Sequence, residues 1–129
     1  MKKLIFLILA AILLTGCGQD KENTREVEYV NITAEEAKQI MDSEEGYIIL
    51  DVRTQEEYDQ GHIPGAIGIS YEEIPDKAEE VLTDKNQLIL VYCRSGRRSK
   101  IAAEALLELG YTNIKEFGGI IDWPYEVEK

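Results

Sequence analysis

Two short stretches of this chain, residues 47–52 and 88–92, are apolar almost without interruption. A strand with one face in solvent alternates apolar and polar residues, whereas a strand buried on both faces is apolar nearly throughout. Both stretches therefore predict strands of a parallel sheet that other elements cover on both sides. Parallel strands need long crossover connections, so the rest of the chain should supply helices.

Three weaker strand candidates and four helical candidates surround these two strands. The strand candidates are residues 29–32, 66–69 and 113–117, and the helical candidates are residues 34–41, 56–58, 75–82 and 100–109. Strands that alternate with helices in this way predict a single α/β domain. Its central sheet should be mainly parallel and flanked by helices on both faces, with the functional site at the carboxyl ends of the strands.

Local signals mark the ends of several of these helices. Thr33 and Glu36 have the spacing of a capping box, and Thr54 is placed to begin a short helix. We expect Ser99 to cap the last helix and Gly110 to end it. The apolar residues of that helix recur every four positions, which is typical of one face of a helix: Ile101, Ala105 and Leu109.

The first 17 residues have the order of an export signal: two lysines, an apolar run and then small residues. The apolar run, residues 4–14, is shorter than the roughly 20 residues that span a bilayer. It leads into Leu14-Thr15-Gly16-Cys17, which resembles the lipobox of bacterial lipoproteins. The resemblance implies cleavage before Cys17 and the attachment of fatty acyl chains such as palmitate to Cys17.

The residues that follow Cys17 are polar and lack periodicity, which favours a flexible tether. We therefore divide the chain into a cleaved signal peptide at residues 1–16, a lipidated tether at 17–28 and a folded domain at 29–129. A protein with this leader is expected to be extracytoplasmic and anchored in the bacterial cell membrane.

The chain is acidic, and its formal net charge of −11 falls by two, to −13, when Lys2 and Lys3 leave with the signal peptide. Such acidity argues against a nucleic-acid partner and against adhesion to anionic lipid headgroups. No sequence feature indicates an obligate dimer, so we expect a monomer.

Lipidation of Cys17 would leave Cys93 as the only thiol, so no disulfide could form within the chain. Cys93 follows a buried strand and opens the turn Cys93-Arg94-Ser95-Gly96-Arg97-Arg98-Ser99, which leads into the last helix. The backbone N–H groups of such a turn and the helix N-terminus can point at the sulfur, and Gly96 permits the chain to fold tightly.

Three arginines follow Cys93 within five residues of an otherwise acidic chain. They should attract an anionic substrate and favour the thiolate, which is the nucleophilic form of cysteine. We expect Arg98 to have such a function, whereas Arg94 and Arg97 are equally compatible with a solvated basic patch.

Two motifs resemble the single-domain rhodaneses, a family of sulfurtransferases. One is the cysteine turn at residues 93–99, and the other is the ungapped stretch 51–66, which runs from Asp51-Val52-Arg53 to Pro64-Gly65-Ala66. The ending at residues 117–123, with the pair Gly118-Gly119, is a weaker third match.

The resemblance implies a transfer in two steps. Cys93 takes the outer sulfur of a small anionic donor such as thiosulfate, and the resulting persulfide passes it to a thiol or to cyanide. The resemblance also implies that the backbone of the turn holds the anion, and we expect neither a metal nor a cofactor. The residues of this loop are Arg94, Ser95, Gly96, Arg97 and Arg98.

The stretch after the first strand contributes candidates for support rather than for reaction. We expect Asp51, Arg53 and Glu57 to brace the site, and the spacing of Arg53 and Glu57 suits an ion pair. His62 is the only histidine of the chain, and we expect it to be structural.

Two other functions fit parts of this pattern. Cysteine-dependent phosphatases and arsenate reductases also use a thiolate in a backbone cradle, but they place the arginine after five intervening residues, where this chain has Ser99. Arg98 follows after four, and this shorter loop favours sulfur chemistry over phosphate chemistry. A persulfide-binding carrier or sensory module with little turnover is compatible with every one of these residues.

Overall fold

The computed structural model describes residues 26–129, which form five strands and four helices in alternation. The strands are β1 (Val30–Asn31), β2 (Ile48–Asp51), β3 (Ile67–Gly68), β4 (Ile89–Cys93) and β5 (Ile114–Gly119). All pair in parallel in the order β1-β5-β4-β2-β3, so β4, which ends at Cys93, is the central strand. The predicted α/β fold with a parallel sheet is confirmed.

The helices begin close to the predicted signals. They are α1 (Ala34–Ser43), α2 (Gln55–Gln60), α3 (Ile74–Val81) and α4 (Arg97–Glu108), and short 3₁₀ turns lie at Tyr71–Glu73 and Ile120–Asp122. Both Thr33 and Thr54 accept a hydrogen bond from the backbone N–H three residues on, and Glu36 and Glu57 accept one in return. These reciprocal capping boxes satisfy N–H groups that the first turn of a helix leaves free.

Helices cover both faces of the sheet, as the apolar strands predict. On one face, Leu50 and Val91 pack with Leu106 from α4 and Ile74 from α3. On the other face, Ile49, Leu90 and Tyr92 pack with Ala37 from α1 and Trp123. Side chains of a strand alternate between faces, so Cys93 belongs to the α3 and α4 face and Tyr92 to the opposite one.

The predicted start of α4 is wrong, since Ser99 does not cap it. The N-cap is Gly96, at φ +112° and without a side-chain cap, and Ser99 is a buried residue of the first turn. Of the apolar residues that recur every four positions, Ala105 and Leu109 are partly buried and pack against the core, while Ile101 is exposed. The fully buried residues of the helix are Ala102, Ala103, Leu106 and Leu107.

The predicted lipidation site, the signal peptide and most of the tether lie outside the described residues. Val27, which falls within the predicted tether, is partly buried and packs against the α3 and α4 side of the core. Within residues 26–129, no helix is both long enough and apolar enough to cross a bilayer.

Candidate active site at the cysteine loop

Cys93 is the last residue of β4, and the chain turns back sharply behind it. The left-handed conformation of Gly96 directs the Gly96 N–H at the sulfur, with a distance of 3.0 Å between Gly96 N and Cys93 Sγ. The thiol in turn lies 3.5 Å from Ser99 Oγ, and the cysteine is almost fully buried. The loop is thus a cradle of N–H groups around the sulfur, at the N-terminus of α4.

This cradle favours the thiolate. Burial raises the pKa of the Cys93 thiol, because a charge is poorly solvated there. Hydrogen bonds from the Ser99 side chain and from the N–H groups of Ser99, Gly96 and Ser95 act in the opposite direction and outweigh burial. The net pKa of Cys93 lies below its ordinary value, so more of the thiol is ionised at neutral pH.

The three arginines of the loop have different surroundings. Arg98 forms a two-pronged ion pair with Glu57 on α2, with Nη1 2.7 Å from Oε1 and Nη2 3.0 Å from Oε2. Arg97 lies over the ring of Tyr71, with 5.9 Å between its guanidinium carbon and the ring centroid. Within residues 26–129, Arg94 and Arg97 form no ion pair, and both side chains are exposed.

The predicted ion pair between Arg53 and Glu57 is wrong. Glu57 binds Arg98 instead, and Arg53 binds Asp51, whose Oδ2 lies 2.6 Å from Arg53 Nη2. The pairing rule for residues four apart applies within a helix, and Arg53 precedes the N-cap of α2.

Asp51, Arg53 and Tyr92 form a buried polar group on the sheet face opposite to Cys93. The Tyr92 hydroxyl group donates a hydrogen bond to Asp51 Oδ2 at 2.6 Å and accepts a hydrogen bond from the Ile63 N–H at 3.0 Å. Arg53 also donates to the Gly61 carbonyl oxygen at 2.7 Å. These contacts tie the end of β2 to the segment after α2, which is the geometry of a brace.

The sequence model of the family described as "Rhodanese-like domain" matches residues 33–124, and these residues contain the whole site. The chain belongs to the rhodanese-like family. A lipid attachment site of prokaryotic membrane lipoproteins matches residues 1–17, in agreement with the lipobox that ends at Cys17. Both resemblances drawn from the sequence motifs are thereby confirmed.

Rhodanese-like relatives are similar over most of the domain. Thiosulfate sulfurtransferase PspE of Escherichia coli (strain K12) is 42% identical over 73 residues, which cover 57% of this chain and 70% of that protein. YrkF of Bacillus subtilis (strain 168), provisionally named as a sulfur carrier, is 36% identical over 122 residues, or 94% of this chain and 64% of YrkF. A solved structure titled "rhodanese with anions from E. coli" has a TM-score of 0.60 at 38% identity and covers 64% of this chain and 98% of that one.

In this rhodanese-like domain, the described contacts of the His62 ring are with Tyr58 and Glu128. Its Nδ1 lies 2.9 Å from the Tyr58 carbonyl oxygen, and its ring stacks on that of Tyr58 with 3.8 Å between centroids. Its backbone pairs with that of Glu128, which fastens the C-terminal segment to the domain. These contacts agree with the structural role that we expect for His62.

The sequence assigns no role to three residues of the site, although Gly119 lies within the weak match at residues 117–123. Gly119 of β5 passes so close beneath the loop that a Cβ atom there would overlap the Arg94 carbonyl group. In the sequence, Tyr92 is one more residue of an apolar strand, and only the structure shows that its hydroxyl group donates a hydrogen bond to Asp51. Glu116 is fully buried, although charged residues in short strands are usually exposed.

Within the described part of the chain, no group of three or more histidine, cysteine, aspartate or glutamate side chains is arranged to hold a metal ion.

Replacing Asp51 with asparagine is expected to lower the free energy of unfolding by about 3–5 kcal/mol, because it leaves the buried Arg53 guanidinium without its counter-charge. Urea denaturation measures the loss. The matched control is Asp42→Asn, which breaks the exposed pair with Lys38 and should cost less than about 1 kcal/mol. Equal losses in the two variants would contradict the bracing role.

The Glu57 and Arg98 pair should make stability depend on acid pH. Hydrogen bonds from Arg98 lower the pKa of Glu57 from its ordinary value of 4.5 to about 2. Because this pKa is lower in the folded state than in the unfolded chain, the ionised Glu57 stabilises the domain at any pH above its unfolded-state pKa. This stabilisation is lost as the pH falls through the folded-state pKa of about 2. Glu57→Gln should therefore cost roughly 1–2 kcal/mol at neutral pH and little at the acid end.

Urea denaturation at a series of pH values tests this expectation for Glu57→Gln. Glu56→Gln is the matched control, since Glu56 is the preceding, exposed residue of the same helix. If the two variants lose stability in parallel across the acid range, the ion pair is not the cause.

Proposed function

We propose that this domain transfers sulfane sulfur from a small anionic donor such as thiosulfate to a thiol or to cyanide, through a persulfide on Cys93. The Cys93 thiolate attacks the outer sulfur of the donor, the S–S bond of thiosulfate breaks, and sulfite leaves. The acceptor then attacks the outer sulfur of the persulfide, and Cys93 leaves as a thiolate.

The observation that carries this proposal is the cradle around Cys93. Its N–H groups and the N-terminus of α4 stabilise an anion at the sulfur. The persulfide is also an anion, so the same groups can serve before and after sulfur uptake. The exposed side chains of Arg94 and Arg97 offer positive charge to the donor in an otherwise acidic chain.

The position of Arg98 supports sulfur transfer over phosphate hydrolysis. A phosphatase needs an arginine fork on the phosphate oxygens, since two parallel N–H donors match that geometry. Both Nη atoms of Arg98 instead bind the Glu57 carboxylate. A phosphate would have to compete with that carboxylate for the fork.

Intact-mass measurement of the full-length protein after exposure to thiosulfate tests the proposal. We expect a gain of one sulfur atom, which a subsequent treatment with cyanide removes as thiocyanate. Absence of added sulfur would overturn the proposal. Release of phosphate from an aryl phosphate in its place would establish a phosphatase.

A carrier with little turnover is the second candidate, and the near-complete burial of Cys93 together with the similarity to YrkF favours it. A carrier and an enzyme both take up sulfur, but they differ in release. An enzyme should turn over many equivalents of thiosulfate with cyanide, whereas a carrier should stop near one.

We further propose that the domain is held on the outer side of the bacterial membrane through lipid on Cys17, on the strength of the match to the lipid attachment site. Metabolic labelling with a fatty acid is expected to mark the wild-type protein and not the Cys17→Ala variant, because the thiol is the site of acylation. Label retained by Cys17→Ala would refute this assignment.

A further inference from the structure

A buried carboxylate lies behind the cysteine loop, and sulfur transfer as described above does not use it. Glu116 of β5 has no exposed surface. Asn31 Nδ2 donates to its Oε1 at 2.6 Å, while the Ser99 hydroxyl and the Gly118 N–H, the latter at 2.9 Å, donate to its Oε2. Within residues 26–129, Glu116 forms no ion pair. A buried charge without a counter-ion is costly, so its place next to the loop calls for a function.

Ser99 connects this carboxyl group to the sulfur. Its Oγ contacts Glu116 Oε2 and lies 3.5 Å from Cys93 Sγ and 3.0 Å from the Gly96 carbonyl oxygen. A hydroxyl group has one proton and can donate it to one strong acceptor at a time. When this proton does not go to the Gly96 carbonyl oxygen, it points either towards Glu116 or towards Cys93.

Each choice fixes the protonation of the two neighbours. When Ser99 donates to Glu116, Glu116 is a carboxylate and the Cys93 thiol donates to Ser99 Oγ. When Ser99 donates to the sulfur, Cys93 is a thiolate, and Glu116 must hold a proton for its contact with Ser99 Oγ. The stabilisation of the thiolate by the Ser99 hydroxyl thus exists only in the second arrangement.

We propose that Glu116 acts through Ser99 as the internal proton acceptor for Cys93, so that the two buried acids share one proton. The S–H proton passes to Ser99 Oγ while the Ser99 proton passes to Glu116 Oε2. One S–H and one O–H bond break, two O–H bonds form, and the net charge of the site is unchanged. The transfer reverses when Cys93 leaves the persulfide as a thiolate.

Burial explains why the proton stays inside the site. A thiolate and a carboxylate on either side of one hydroxyl group repel each other strongly where water is absent, so one of them keeps the proton. Glu116 does not contact the sulfur and acts on it only through Ser99, so it is a positioning residue. Ser99 contacts the sulfur directly.

Other charged or titratable side chains lie around the pair, among them the Lys100 ammonium beside Gly96, which carries no site to accept a proton. Arg98, which interacts with the Cys93 charge from α4, has a raised pKa and stays cationic. Tyr29, which precedes β1, has a pKa raised by its burial and by the charges of Glu116 and Glu104, so it stays neutral. His62 binds Tyr58 and Glu128.

This inference rests on the proposed function and deepens it, since it states how the nucleophile forms. Its test is the ultraviolet absorbance of the thiolate in the full-length protein as a function of pH, taken as a difference from Cys93→Ser. No sulfur donor is needed, so its failure is distinct from a failure of sulfur uptake in the mass measurement.

For the wild type, we expect thiolate to form in two steps separated by a plateau, because two coupled acids lose their protons in turn. Glu116→Gln should show one step, at least about one pH unit below the upper wild-type step, because glutamine neither takes the proton nor repels the thiolate. Glu116→Asp should restore two steps. Glu108→Gln, at an exposed position of α4, should match the wild type.

Two outcomes would overturn the proposal. Identical profiles for wild type and Glu116→Gln would mean that Glu116 does not interact with Cys93. A single wild-type step that merely moves to lower pH in Glu116→Gln would mean that the carboxylate repels the thiolate without sharing its proton.

A second measurement keeps the proposal testable if the Glu116 variants do not fold. At the pH of the plateau, the infrared difference spectrum of wild type minus Cys93→Ser should contain the carbonyl band of a protonated carboxyl group. The serine variant leaves Glu116 intact but gives it no thiol proton to take up. Absence of this band would overturn the shared proton.

Discussion

Replacing Cys93 with serine is expected to abolish the gain of sulfur from thiosulfate, with a loss on the order of a thousandfold or more in the rate of transfer to cyanide. A hydroxyl group cannot form a persulfide, and the cradle cannot ionise it at neutral pH. The fold should change little, because a serine hydroxyl can keep the contacts with the Gly96 N–H and with Ser99 Oγ. Intact mass and the rate of thiocyanate formation measure the loss.

The other cysteine of the chain supplies the matched control. Cys17→Ala should keep full sulfur uptake while it loses the fatty-acid label, so that the two cysteines have separate functions. Sulfur added to the Cys93→Ser protein at the wild-type level would place the persulfide elsewhere and contradict the assignment of Cys93.

The sheet and the helices could be predicted because their signals are local. The apolar strands and the Thr33 and Thr54 capping boxes are each determined by a few neighbouring residues, and the structure confirms them. Alternation of strands and helices then leaves few ways to arrange a parallel sheet. The loop around Cys93 could be placed for the same reason, since it joins the end of one strand to the next helix.

The errors arise where the site departs from local rules. A side-chain cap at the start of α4 would use the N–H groups that point at the sulfur, and the structure has an uncapped Gly96 there instead of Ser99. The fully buried stripe contains Ala102 and Leu106 rather than Ile101, and both stripes have a spacing of four in the sequence. Periodicity alone could not choose between the two stripes.

Long-range contacts account for the pairings that the sequence could not predict. Glu57 and Arg98 are 41 positions apart, and so are Asp51 and Tyr92. Glu116 meets Ser99 only because β5 lies beside β4 in the sheet. The order of the strands in the sheet depends on the three-dimensional packing of the whole chain, so local sequence patterns do not predict it.

Replacing Gly119 with alanine is expected to displace the cysteine loop. The backbone of Gly119, at φ −138° and ψ 157°, is extended and suits any residue, so the close approach of the loop is what requires glycine. The Cβ atom of alanine would overlap the Arg94 carbonyl and lie 2.5 Å from Ser95 N. Because both groups are backbone, the loop or β5 must move as a unit, at a cost of about 3 kcal/mol or more.

Displacement of the cysteine loop should lower the initial rate of sulfur uptake by Gly119→Ala roughly a hundredfold, since the N–H groups of the loop no longer converge on Cys93. Gly65→Ala is the matched control: Gly65 has φ +84° with nothing within 4 Å of an added Cβ, so alanine there introduces strain without a clash. It should lose roughly 1–2 kcal/mol of stability and keep its uptake rate. Both rates are measured at a temperature where circular dichroism shows folded protein, and equal rates would mean that the loop does not depend on Gly119.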